Sequence, residues 1–367
     1  MEKKKAIVCG TTFGQIYLEA INNNSGLELV GIMAQDSERS SMTAHKYNVP
    51  LFQNVEELPE DIDIAFVVIR SSCLGGPGTD ISKSLLEKGI HVLQEHPVHY
   101  KDIEELAKIA NRQKKVYLVG NLYKHMEQVK NFITCAKELN EKNELLYIKA
   151  AFSSQVFYPA IDILLDALPA GVGLTIENQV ECGGFKILTG KMKGIPFTFE
   201  IHHEVNPKDP NNNMNFMHEI EFLYAAGRLL LSNTFGPLLW YPKMNTDIAH
   251  AADRNYPPHM LENSGMCLGS LGCESFKDVL EQLWPTAVGQ DVKLMSQTVE
   301  NRGFMGRNLQ KELAVAKVWN QITSEIGYAH IVDRTVFAPV SAEILKELIK
   351  KGDESCRQLM KERFSSS

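Results

Sequence analysis

The chain has 367 residues, 44% of them hydrophobic and 23% charged, the composition of an ordinary globular protein with room for two domains of about 100–200 residues. Its net charge is −7 and its clearest basic run is Lys3-Lys4-Lys5, so a nucleic-acid partner, which needs clustered Lys and Arg, is not expected. No apolar run reaches the roughly 18 residues needed to span a bilayer. The seven cysteines, at 9, 73, 135, 182, 267, 273 and 356, form neither a disulfide framework nor a zinc pattern. Reduced thiols, and an N-terminus that enters a strand without the apolar core of a signal peptide, predict a cytoplasmic protein.

Strand and helix alternate through the first third. Lys5–Cys9 reads as an apolar strand ending at Gly10, Gln15–Asn22 as a helix, Leu27–Ala34 as the second strand and Ser41–Tyr47 as the next helix. Ile62–Ile69 is apolar apart from Asp63, as expected for a strand buried on both faces. Ser82–Lys88 is a helix closed by Gly89, and Ile90–Gln94 a strand. Asp102–Arg112 is an amphipathic helix and Val116–Val119 a further strand. This alternation predicts a Rossmann-type parallel sheet over residues 1–122.

The pattern changes near residue 123. Glu127–Asn140 and Ala160–Leu168 read as helices and Leu146–Phe152 as a strand. Phe185–Leu188, Phe197–Val205, Phe216–Tyr224, Arg228–Asn233 and Leu238–Tyr241 follow between turns, and residues 275–352 return to helix. The second domain, 123–367, is therefore expected to be α+β with a mostly antiparallel open sheet. Without a low-complexity linker, the two domains are expected to pack tightly.

The first strand runs into Cys9-Gly10-Thr11-Thr12-Phe13-Gly14. A strand, a glycine-containing turn and a helix start form the arrangement that cradles a phosphate, because backbone N–H groups at a helix N-terminus carry roughly half a positive charge. The usual fingerprint is GxGxxG. With Gly14 as the third glycine, Cys9 and Thr11 occupy the first two places, so the surrounding alternation carries the assignment more than the loop does. The competing reading is an ordinary tight turn.

After the second strand comes Ala34-Gln35-Asp36-Ser37-Glu38-Arg39-Ser40. An NAD-preferring domain commonly places an acidic residue at this strand end for the ribose 2′-hydroxyl. Here Arg39, with Ser37 and Ser40, suits a 2′-phosphate, which favours NADP; Asp36 or Glu38 would reach a 2′-hydroxyl if the register slips. The third strand leads into Arg70-Ser71-Ser72-Cys73-Leu74-Gly75-Gly76-Pro77-Gly78-Thr79, a polar, glycine-rich loop at the ligand-binding edge of such a sheet. It suits close backbone approach to a cofactor or substrate, and the plainer reading is a flexible connection.

The fourth strand ends in Glu95-His96-Pro97. Imidazoles titrate near ~6.5 and make good general acids at neutral pH. Tyr123, just beyond the next strand in Gly120-Asn121-Leu122-Tyr123, keeps its proton at neutral pH and can also donate it. Both side chains are expected to converge on one cleft. The competing readings are a structural His beside Pro97 and a core aromatic with a satisfied hydroxyl. His99 and His125 are spare candidates. His202-His203 is an adjacent pair on a strand, its rings facing opposite sides, which opposes chelation; no metal site is read. His218 and His250 are expected to be surface or packing residues, and Trp240 and Tyr241 core or interface aromatics.

The sequence resembles the glucose-fructose oxidoreductase/inositol dehydrogenase family, in which the fourth strand typically ends in Glu-Lys-Pro with a catalytic Lys. With His in that place it is most similar to one branch, the thiazolinyl imine reductases of yersiniabactin-type and pyochelin-type siderophore assembly. The shared stretches are Gly10-Thr11-Thr12-Phe13-Gly14 with Tyr17-Leu18, and Val68-Ile69-Arg70-Ser71 with the Gly75–Thr79 loop. They continue through Val92-Leu93-Gln94-Glu95-His96-Pro97-Val98-His99, Tyr123, His125 and Phe235-Gly236-Pro237-Leu238-Leu239-Trp240.

The resemblance implies NADPH-dependent reduction of a thiazoline C=N bond to a thiazolidine. The substrate would be tethered to a peptidyl carrier domain of a nonribosomal peptide synthetase. It further implies that His96 and Tyr123 are the candidate acids, and that the second sheet pairs two subunits into a homodimer. The cofactor set expected from loop and strand ends is Gly10, Thr11, Thr12, Phe13, Gly14, Ser37, Arg39, Ser40, Arg70, Ser71, Glu95 and His96. The alternatives are a sugar or cyclitol dehydrogenase of the same broad family and a non-catalytic NADPH-binding sensor.

Overall fold

The computed structural model describes residues 3–169, 173–208, 214–244, 263–271, 275–333 and 340–365; His250 lies outside them. Six strands, β1 (Lys4–Cys9), β2 (Leu27–Met33), β3 (Leu51–Phe52), β4 (Ile64–Val67), β5 (His91–Glu95) and β6 (Tyr117–Gly120), form a sheet in the order β3-β2-β1-β4-β5-β6. Every pairing in it is parallel. Its central strand β4 is buried along its whole length, which explains its uninterrupted apolar sequence. The crossovers use α1 (Gly14–Asn22), α2 (Glu38–Tyr47), α3 (Gly78–Glu87) and α4 (Tyr100–Arg112).

Helices start earlier here than periodicity suggests, because their first turns are polar. The N-cap of α2 is Ser37, whose hydroxyl accepts the Ser40 N–H at 3.2 Å, so the helix begins at Glu38 rather than Ser41. His99 caps α4 by accepting the Lys101 N–H at 3.3 Å, so that histidine is spent on structure.

The second sheet contains β7 (Leu145–Ser153), β8 (Leu174–Cys182), β9 (Phe185–Met192), β10 (Ile195–His202), β12 (His218–Tyr224), β13 (Gly227–Leu231), β14 (Leu238–Pro242) and β15 (Met266–Cys267). The order is β15-β14-β13-β12-β7-β10-β9-β8. Only β7 and β10 run parallel; the other neighbours are antiparallel. β11 (Glu204–Val205) pairs instead with β16 (His330–Ile331). The stretch between Phe185–Leu188 and Phe197–Val205, read from the sequence as a turn, is mostly strand. β9 runs to Met192, and Lys193-Gly194, both at positive φ (54° and 81°), make a tight turn. β8 escapes periodicity because it is an edge strand exposed along most of its length.

Helices α5 (Glu127–Lys142) and α6 (Phe157–Ala167) cover this sheet's inner face. The chain then returns to the first sheet: α7 (Trp284–Glu300) packs on α1, and α8 (Gly303–Ile326) packs on α4 and α6. A last helix, α9 (Ala342–Ser365), follows. One hydrophobic core runs through both sheets. Parallel strands put their carboxyl ends on one edge of the first sheet, and the start of α7 reaches that edge at Trp284, against Phe13 of the β1–α1 loop. Among the described residues, no helix is long and apolar enough to cross a membrane.

Candidate active site

The β1–α1 loop is shaped by its two glycines. Gly10 has φ +99°, and a Cβ there would stand 2.6 Å from the Val68 carbonyl oxygen, so only glycine lets β1 and the end of β4 approach. A Cβ on Gly14 would approach Val8 Cγ1 at 3.2 Å. No side chain caps α1 at Phe13, and its first turn has no acidic residue. Its leading N–H groups therefore face the loop without a competing carboxylate, and the loop fits the pyrophosphate of a dinucleotide. Thr12 is exposed at the crest, while Thr11 is buried.

Thr11 Oγ1 lies 3.4 Å from Ser40 Oγ, and Ser40 Oγ lies 2.7 Å from Ser37 Oγ and donates to the Gln35 carbonyl at 2.8 Å. Three hydroxyls thus tie the β1 loop to the β2–α2 loop. Ser40 is the buried brace of this set, whereas Ser37 and Arg39 are exposed. Arg39 makes no ion pair among the described residues and is open to an anion.

In the 70–79 loop, glycine serves the chain's own fold. A Cβ on Gly76 would meet the Arg70 carbonyl oxygen at 2.3 Å, and one on Gly78 the Ile69 carbonyl oxygen at 2.3 Å. Only Gly75, with φ +72° and nothing within 4 Å, faces open space. Arg70 is exposed. Ser71 is buried and donates to the Pro97 carbonyl at 2.5 Å, fastening the loop to the end of β5.

The His96–Pro97 peptide bond is cis. His96 Nδ1 lies 3.1 Å from the Gly120 carbonyl oxygen and 3.0 Å from Glu95 Oε1. Nε2 makes no hydrogen bond among the described residues. The ring stacks on Tyr158 at 5.5 Å and meets Tyr123 edge-on at 6.1 Å. Burial opposes the charged imidazole, but the Glu95 carboxylate, the Gly120 carbonyl and the more distant Glu312 outweigh it and hold its pKa above the usual histidine value. The Tyr123 hydroxyl also lacks a partner among the described residues, and burial, then Glu95, keep it protonated far above neutral pH. Two proton donors, an imidazole nitrogen and a phenol, therefore stand side by side at the carboxyl ends of β5 and β6.

Three neighbours of these donors carry no sequence spacing: Trp284 and Tyr158 went unread, and His218 was expected only as a surface or packing residue. Trp284, at the start of α7 after the π-helical turn Val279–Leu283, sits 5.6 Å from the Phe13 ring and 6.4 Å from Tyr123. Its indole nitrogen is buried without a protein partner among the described residues. His218 meets Tyr123 at 5.1 Å. Its ring nitrogens lie 2.9 Å from Thr234 Oγ1 and 3.0 Å from the Val156 carbonyl oxygen, and burial pushes its pKa down to about 4, so it is a neutral packing residue. Tyr158 places its hydroxyl 3.4 Å from Glu312 Oε2.

Behind Tyr123 lies a buried ion cluster. Lys124 Nζ reaches Glu312 at 3.1 Å and Asp162 at 3.3 Å, and Lys311 reaches Asp162 at 2.9 Å. Burial disfavours the Lys124 charge, but Asp162, Glu312 and Asp291 together hold its pKa well above the ordinary lysine value. Asp291 accepts the Asn121 N–H at 3.0 Å and pairs with His125 at 3.0 Å, so His125 braces the turn rather than facing the cleft. Of the spare histidines, His99 lies 3.0 Å from Asn320. His202 packs on Phe185, while His203 lies 2.7 Å from Ser154 and packs on His330. Trp240 is half-buried against Tyr224, and Tyr241 lies under Arg228.

This fold and edge define a nicotinamide-dependent oxidoreductase. The family model for the oxidoreductase family with an NAD-binding Rossmann fold, GFO_IDH_MocA, matches residues 4–121. The model for the C-terminal part of thiazolinyl imine reductases of the Irp3-like kind matches residues 143–241. Its first domain is thus of the glucose-fructose oxidoreductase/inositol dehydrogenase family, and its second domain matches the thiazolinyl imine reductase kind. Among curated proteins the chain finds no match.

Solved structures share its architecture. KijD10, a 3-ketoreductase from Actinomadura kijaniata seen with NADP and TDP-benzene in an open conformation, is 13% identical, with a TM-score of 0.64 over 90% of this chain and 99% of its own. A dehydrogenase, MviM, from Clostridium difficile is 15% identical, with a TM-score of 0.60 over 88% and 100%. An oxidoreductase from Agrobacterium radiobacter, solved with NAD+, L-tartaric acid and magnesium, is 12% identical, with a TM-score of 0.62 over 89% and 98%. At such identities the likeness is one of fold.

Proposed function

We propose that the protein reduces the C=N bond of a thiazoline to a thiazolidine with NADPH, on an intermediate carried by a peptidyl carrier domain of a nonribosomal peptide synthetase. The observation that carries this reading is the pair of unengaged donors, His96 Nε2 and the Tyr123 hydroxyl, at neighbouring strand ends. Reducing an imine needs a proton on nitrogen and a hydride on carbon, and the reduced nicotinamide, when bound, supplies the hydride. Gly10, Thr12, Phe13 and Gly14 would line its pyrophosphate. Ser37 and Arg39 would take the 2′-phosphate, with Thr11 and Ser40 bracing them. Arg70, Ser71 and the β5 end would lie toward the nicotinamide.

The chain's own groups supply the acid and the shape. In this reading a charged His96 gives its Nε2 proton to the substrate nitrogen and remains neutral with Nδ1–H. Tyr123 donates a hydrogen bond to the same nitrogen or replaces His96 as acid. Trp284, Tyr158 and Tyr123 give the cleft aromatic walls that exclude water. Residues 1–122 serve as the cofactor domain, and residues 123–367 as the substrate and dimerisation domain.

The test is turnover of purified protein with NADPH and a thiazoline thioester analogue, followed at the NADPH absorbance. Oxidation with the thiazoline, and none with sugars or cyclitols, is expected. Turnover of sugars alone would overturn the reading in favour of a sugar or cyclitol dehydrogenase, and NADPH binding without turnover of any imine would favour a sensor.

A further inference from the structure

Both carboxylate oxygens of Glu95 are committed. Oε1 lies 3.0 Å from His96 Nδ1, and Oε2 accepts the phenol of Tyr17. Tyr17 is fully buried on α1, the helix that starts at the β1 loop. Gly120 closes the arrangement. A Cβ there would stand 2.7 Å from the Tyr17 hydroxyl and 3.5 Å from Glu95 Oε2, and its own carbonyl lies 3.1 Å from His96 Nδ1. Nδ1 thus faces two acceptors and no donor, so it carries a proton in both charge states of the ring. That leaves Nε2 as the one ring nitrogen free to exchange a proton with substrate.

We propose that Tyr17 and Glu95 are a buried positioning pair that fixes His96 as its Nδ1–H tautomer, aims Nε2 into the cleft and stabilises the imidazolium. The proposal rests on His96 acting as an acid in C=N reduction. In that step the Nε2–H bond breaks and an N–H bond forms on the substrate nitrogen, while the hydride reaches carbon from the reduced nicotinamide. The electron pair left on Nε2 neutralises the ring. Nδ1 keeps its proton, and Glu95 stays a carboxylate throughout.

The other groups around the ring do not take over this work. Tyr158 on α6 stacks on it, and Tyr123 meets its edge. Glu312 on α8 is engaged by Lys124 and lies behind Tyr158. His218 on β12 is the next imidazole, beyond Tyr123, and is neutral. Glu95 is therefore the anion in contact with His96, and Tyr17 is what limits its rotamers.

The experiment is a pH titration of the ring nitrogens in full-length protein labelled with 15N-histidine, the His96 signals being those lost in His96→Asn. The wild type should show an Nδ1–H tautomer and a pKa above about 6.5. Glu95→Gln should lower that pKa by about one unit, a tenfold change in the protonation equilibrium, and mix the tautomers. Glu95→Asp, which restores the charge, should recover most of the shift. The high-pH limb of kcat should move down by the same amount in Glu95→Gln. An unchanged pKa and tautomer in Glu95→Gln overturns the proposal. If Glu95→Gln does not fold, Tyr17→Phe carries the test through a weakened Nδ1–H preference, and an unchanged preference removes the pair. The titration needs no substrate, so absence of thiazoline turnover would count against the proposed reaction while leaving this result readable.

Discussion

The indole of Trp284 lies 5.6 Å from the ring of Phe13, so a helix from late in the chain rests directly on the loop that begins the first crossover. Removing that ring uncovers the loop and leaves the rest of the α7–α1 packing in place. Trp284→Ala should raise the NADPH dissociation constant about tenfold, or roughly 1.4 kcal/mol, as read by calorimetric titration. An unchanged constant would place Trp284 outside the cofactor's reach.

His96→Ala and Tyr123→Phe test the two donors separately. The residue that gives up its proton should cost roughly 100-fold or more in kcat, as general acids do. The other should cost less, and both variants should bind NADPH as the parent does. Single-turnover rates in both variants equal to the parent's would remove them as acids.

Arg39 tests the choice of dinucleotide. A charged hydrogen bond to a 2′-phosphate contributes about 1.5–3 kcal/mol, so Arg39→Ala should weaken NADPH about 10- to 100-fold and leave NADH unaffected. Equal loss for both cofactors would assign Arg39 to packing, and a parent protein that prefers NADH would return attention to Asp36 and Glu38.

Lys124 is a buried cation between two carboxylates. Lys124→Met leaves Asp162 paired with Lys311 but strands Glu312, whose pKa is already pushed up by burial. A loss of about 3–5 kcal/mol is expected from urea unfolding, and adding Glu312→Gln should recover part of it. A double variant no more stable than the single one would show that the pair does not act as a unit.

Stability should fall on mild acidification. Burial depresses both His218 and His91 to about 4. The unfolded chain protonates first, so the stabilisation is complete above about 6.5 and is lost as pH falls from there toward 4. His96 works in the opposite sense: its raised pKa adds stability at low pH that is lost as pH climbs through the folded value. His203 is depressed by burial as well, so with three depressed imidazoles against one raised, urea midpoints should drop between pH 7 and pH 5, and less steeply in His218→Asn. The same slope in that variant would contradict the assignment to His218.

The first sheet was legible because buried parallel strands such as β4 are apolar without interruption and their helices are amphipathic. Boundaries slipped where polar caps begin a helix, as at Ser37 and His99. β8 was invisible, since an exposed edge strand leaves no alternation to read. Of the site, Gly10, His96 and Tyr123 could be found at strand ends, where ligands gather in such sheets. Trp284, Tyr158 and Glu312 could not: long-range packing alone brings them to the cleft. The glycines at 76 and 78 invited a ligand-contact reading, yet the chain folds back on residues 69 and 70 there.

The short turn from Asn121 to His125 belongs to the first sheet by sequence, but it is held by Asp162, Asp291 and Glu312, all from later in the chain. Exchanging halves between relatives would therefore be unequal in its effects. A chimaera joined after residue 120 would inherit its nucleotide-binding loops from the first parent and the Trp284 ring that rests on them from the second, and the aim of Tyr123 would come from whichever parent donated the three carboxylates. Divergence in substrate could then proceed by changing the later half alone, with the phenol's orientation carried along as a passenger of that half.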